Sequence, residues 1–127
     1  MNAFLSMAST LLEDPRFQKA IALFNSRDWY SAHDVFEELW HETYGLERNT
    51  IHCFLQIAVA QVHLESGNTN GATILFGEAL GRLSKFKPPD LGFDLEKLCE
   101  SLKLRLHLLH HENDPGASTV PFLLKRT

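Results

Sequence analysis

Displaced by 40 positions, the sequence falls partly on itself. Ala20 lands on Ala60, Ser26 on Ser66, Ala32 on Ala72, Phe36 on Phe76 and Glu38 on Glu78, while Asp28 lands on Asn68. A period of this length is that of one helical hairpin, and stacked hairpins bury faces that a single one leaves open. Ala32 and Ala72 let neighbouring helices approach closely, and Phe36 and Phe76 fill the space beneath them. The chain is therefore expected to be all-α, with helical hairpins stacked in a tetratricopeptide-like manner. Two units are too few for a free-standing solenoid, so a further helix is expected to cap the pair.

Start and stop residues divide the chain into five helical segments. Asp14-Pro15 is an N-cap followed by proline at the first helical position, and Phe17, Ile21 and Phe24 then recur at helical spacing. Asp28 caps a second helix bearing Tyr30, Val35, Phe36, Leu39 and Trp40, and Gly45 stops it. A third is expected from about Asn49 to Ser66, with Gly67 placed as a C′ residue. Asn68 caps a fourth that Pro88-Pro89 ends, and a fifth is expected from about Phe93 to Glu112. No run alternates with period two, so strands are not expected. One domain over 1–127 follows: a core at about 17–83, a capping helix at about 93–112 and an extended tail at 113–127, whose Val120 to Leu124 are apolar enough to dock.

Composition narrows the function. Twelve basic and sixteen acidic side chains give a net charge of −4, which offers no global attraction to phosphate backbones or anionic membranes. Neither nucleic acid nor membrane is an expected partner. No stretch approaches the roughly 18 apolar residues of a membrane span, and Met1 to Leu12 lacks the basic region and cleavage site of a signal peptide. Cys53 and Cys99 have neither a CxxC partner nor zinc spacing, so they read as reduced thiols in a cytoplasmic protein. Seven histidines are the one hint of chemistry.

The densest polar cluster lies on the second helix. His33, Glu37 and Trp40 are spaced i, i+4, i+7 and share a face. An imidazole and a carboxylate one turn apart can chelate a divalent metal, work as an acid–base pair, or form a hydrogen-bonded network that fixes packing. His52, Gln56 and His63 form a similar stripe on the third helix, and antiparallel packing would let the two stripes meet. His107, His110 and His111 suit the negative end of the fifth helix, as Arg82, Lys85 and Lys87 suit that of the fourth. His41 reads as surface. No HExxH signature, phosphate loop or nucleophile elbow is present.

Three blocks carry a family resemblance: Trp29-Tyr30-x-Ala32-His33-Asp34-x-Phe36-Glu37-x-Leu39-Trp40, Gln56-Ile57-Ala58-Val59-Ala60-x-x-His63, and Gly67-Asn68-x-x-Gly71-Ala72. In this order the chain resembles the family called domain of unknown function 309, small all-helical proteins found largely in prokaryotes. The resemblance implies an all-α fold around the His-x-x-x-Glu-x-x-Trp helix, and it implies no activity. Its signature positions fall on His33, Glu37, Trp40, Arg48, Gln56 and His63, with Asn68 and Gly71 in a turn. His52 and Cys53 stand where the family typically has glutamine and glycine.

Two functions are expected from these residues. The first is a non-enzymatic interaction or scaffold module, binding a protein segment in a groove lined by the second and fourth helices, or a second copy through Leu104 and Leu108. The second is a small-ligand or divalent-metal site, with hydrolase-like chemistry as its enzymatic form, at His33, Glu37 and His63 with Trp40 as a wall. The lack of a catalytic set favours the first, without an expected cofactor.

Overall fold

The computed structural model describes residues 11–127. The reading of Met1 to Leu12 thus falls mostly outside the described residues. Residues 11–13 are helical, and five further α-helices follow among the described residues: α1 (Pro15–Asn25), α2 (Trp29–Glu42), α3 (Glu47–Glu65), α4 (Thr69–Phe86) and α5 (Leu95–His110). A short 3-10 turn at Ala117–Thr119 lies in the tail. The chain is all-α: among the described residues the only β-type pairing is an isolated bridge between Phe93 and Lys125. No described helix is long and apolar enough to cross a membrane.

Side-chain caps set most helix starts. Asp14 accepts from the Arg16 amide, Asp28 from Ser31, Asn68 from Gly71 and Asp94 from Lys97. Because Asp94 is a cap, α5 begins at Leu95, two positions after the expected start at Phe93, which lies outside the helix. Helix α3 begins at Glu47, earlier than its spacing suggests, and has no side-chain cap. Backbone bonds from Arg48 to Gly45 and from Asn49 to Leu46 start it instead.

The 40-residue repeat extends to the backbone. At the α1–α2 turn, Arg27 donates to Phe24 and Asp28 to Leu23; at the α3–α4 turn, Gly67 donates to Leu64 and Asn68 to His63. Both are Schellman closures. The middle residues have φ of 66° at Arg27 and 83° at Gly67, so an arginine takes the left-handed conformation that glycine takes in the second copy. Ala32 and Ala72, Phe36 and Phe76 are all fully buried, as their spacing suggests.

Each helix packs chiefly on its neighbours in sequence, giving a stack of hairpins with α5 against α4. An aromatic chain runs through the core. Trp29 meets Phe24 edge-on at 4.9 Å, Phe24 meets Phe36 at 6.2 Å, and Phe36 meets Phe54 at 5.8 Å. Phe93, from the α4–α5 connection, inserts between Phe54 and Phe17, 6.2 Å from each. Truncating any of these buried rings costs about 3–5 kcal/mol.

The tail docks, as its apolar residues suggest, and ties the two ends of the stack together. Asn25, at the end of α1, donates from Nδ2 to the Leu123 carbonyl at 3.0 Å and accepts from the Leu123 amide at 2.8 Å. Asp94 N donates to Leu124 O, and Arg126 N to Gly92 O. Leu123 itself is buried.

Candidate functional site

Helices α2 and α3 run antiparallel across a short connection, and the two polar stripes meet at one point only. There Trp40 and His52 lie 5.3 Å apart, ring to ring, with planes 33° from parallel. Arg48 covers the indole, its guanidinium carbon 4.0 Å from the ring centroid, and its Nε donates to the Trp40 carbonyl at 3.2 Å. The cation–π contact and this bond together hold Arg48 in one pose. Gln56, one turn beyond His52, faces α4 rather than α2. Its Nε2 donates to Glu78 Oε2 at 3.0 Å, and its Oε1 accepts from Arg82 Nη1 at 2.7 Å.

Trp40, Arg48, His52, Gln56, Glu78 and Arg82 thus form one continuous polar ribbon across α2, α3 and α4. Gln56 is buried, Glu78 is exposed and the others lie between. Among the described residues neither Arg48 nor Arg82 forms an ion pair with a carboxylate. Burial, with Arg82 and Arg48 beside it, lowers the His52 pKa, and Glu78 opposes this more weakly. Burial pushes the Cys53 thiol up to about 11, so it is protonated and inert as a nucleophile at neutral pH.

The other positions singled out in the sequence lie elsewhere. His33 contacts Glu37 on its own helix, Nε2 to Oε2 at 3.0 Å, while its Nδ1 lies 3.1 Å from Asp34. The pair is partly open to solvent, with side-chain exposures of 28% and 46%, so its Coulombic strength is screened. His41, an exposed residue as expected, lies 3.8 Å from the other Glu37 oxygen. His63 turns to the next cap. Asn68 Oδ1 accepts from Gly71 N at 2.9 Å, which leaves Asn68 Nδ2 to donate to His63 Nδ1 at 3.1 Å. That ring nitrogen is occupied as an acceptor. Among the described residues no three His, Cys, Asp or Glu side chains converge to hold a metal, and His33, Glu37 and His63 are not brought together.

Gly71 belongs to the same turn. A Cβ placed there would lie 2.6 Å from Asn68 Nδ2 and 2.9 Å from Asn68 Cγ. The capping side chain therefore folds over a position that only glycine leaves free. His63, Asn68 and Gly71 form one interlocked cap.

Sequence reasoning missed Glu78 and reduced Arg82 to a helix-end charge. Their i, i+4 spacing on α4 matches that of His52 and Gln56 on α3, and this was the available signal. The ribbon presents fixed arginines, an indole and an amide, and no activated nucleophile. Such a set can recognise carboxylates and aromatic or amide surfaces.

No curated protein matches the chain. Residues 17–75, which span α1, α2, α3 and the interlocked cap, match the model of a family described as Domain of unknown function (DUF309), the family whose motif blocks the sequence resembles.

Proposed function

We propose that the chain is a non-enzymatic interaction module, a tetratricopeptide-type pair of hairpins that binds a carboxylate-bearing protein segment on the α2–α3–α4 face. The observation that carries this is the pair of arginines held in place without acidic partners. Arg48 is pinned on Trp40 and Arg82 on Gln56. Side chains fixed before binding lose less conformational freedom on contact, and arginine and tryptophan are typical anchors of interfaces. Two free cysteines, one of them buried, support a reducing cytoplasmic setting.

Fluorescence polarisation with a library of labelled peptides tests the reading. Acidic peptides are expected to bind, their Asn/Gln counterparts to fail, and Arg48→Gln or Arg82→Gln to weaken binding by about 10- to 100-fold, as for a charge-assisted bond of roughly 1.5–3 kcal/mol. Absence of binding, or binding indifferent to both substitutions, overturns it.

A further inference from the structure

Among the described residues Arg105 is the only charged side chain that is buried, at 4% exposure. Its Nε donates to Gln61 Oε1 at 2.8 Å, and its Nη1 to Thr119 Oγ1 at 2.8 Å and to the Gly116 carbonyl at 3.2 Å. All three acceptors are neutral. Nη2 has no acceptor among the described residues. No enclosed side-chain nitrogen or oxygen is left without a partner there, so Nη2 is not fully enclosed, and Arg105 lines a cleft. A cation taken out of water normally requires a counter-charge, and neutral acceptors supply only part of the lost solvation.

The cleft has a volume of about 360 Å³ and lies between the α1–α2 turn, the end of α3 and the tail. Arg27, from the α1–α2 turn, lines it as well and forms no ion pair among the described residues. Two acids also stand on its wall, Glu65 and Asp114. Asp114 favours the charged Arg105 at a distance, and Arg27 opposes it. Asp114 Oδ1, however, accepts from the Gly116 amide at 2.9 Å, and Asp114 does not pair directly with Arg105.

We propose that this cleft binds a small monoanionic carboxylate, whose oxygens accept from the free Nη2 of Arg105 while Arg27 supplies a second positive charge on the wall. Glu65 and Asp114 discriminate against dianions, among them inorganic phosphate above neutral pH, where it is mainly doubly charged. The site is separate from the α2–α3–α4 face and does not depend on the function proposed for that face.

The test is a ¹⁵N–¹H NMR titration of the full chain with sodium acetate, sodium chloride keeping the ionic strength constant. Saturable shifts are expected at the Arg105 Nε–H and at the Gly116 and Ala117 amides, with a Kd of about 1–10 mM for so small a probe. Arg27→Gln, a surface change that leaves the buried network intact, is expected to weaken binding at least about tenfold, the effect of losing one charge-assisted contact. At pH 8, where inorganic phosphate is mainly the dianion, it is expected to bind more weakly than acetate. Linear shifts that chloride reproduces, saturable binding unaffected by Arg27→Gln, or tighter binding of phosphate overturns the proposal.

Discussion

His52 sits against an indole and between two arginines, and these neighbours decide its charge. Burial and the arginines lower its pKa below the ordinary value of 6.5. The unfolded chain therefore takes up a proton at higher pH than the folded one does. The stabilisation from keeping His52 neutral is complete above about pH 6.5 and is lost as pH falls toward the folded-state pKa. Urea midpoints at pH 7.5 and pH 5 should therefore differ less in His52→Gln than in the parent chain. An unchanged difference would show that another group carries the acid sensitivity. At this scale the sequence was legible where partners share a helix, as with His33 and Glu37. It singled out Gln56 but not its partners, because Glu78 and Arg82 reach it from another element. Arg105 was hidden for a similar reason: it lies within the leucine-rich stripe of α5, and its acceptors come from α3 and the tail.

The glycines of α4 separate two kinds of element-level constraint. Alanine stabilises a helix interior by about 0.8–1 kcal/mol relative to glycine, and a Cβ at Gly77 or Gly81 meets nothing within 4 Å. Each replacement by alanine should raise stability by about 1 kcal/mol in urea denaturation. Gly71→Ala should do the opposite. Its Cβ displaces the Asn68 side chain, and loss of an N-cap costs about 1 kcal/mol, which exceeds the small propensity gain in a first turn. A stabilising Gly71→Ala would refute the interlocked cap. Helix existence and three of the caps, Asp14, Asp28 and Asn68, were readable because capping is a local property, whereas Asp94 was passed over for a start at Phe93. The start of α3 was not, since backbone bonds after Gly45 replace the side-chain signal.

Across the whole molecule the feature that sequence suggested only in outline is the returning tail. Its apolar residues showed that it would dock, but not where, because its partners lie 98 positions away at Asn25. Asn25→Ala removes both hydrogen bonds to Leu123 and should cost about 1–3 kcal/mol. Hydrogen exchange should then quicken at Leu123, Asp94 and Arg126 while the α3 and α4 amides stay protected. Uniform quickening would mean that the tail is part of the global unfolding unit. The same tie limits what the repeat can become. A stack of hairpins grows by duplication, each added helix layer moving the far end outward by roughly 8–10 Å. Here the segment after α5 must still reach the end of α1, and Phe93 must still enter between α1 and α3. A third hairpin inserted before α5 would carry both beyond reach, so the architecture is closed to lengthening and varies by substitution within two units.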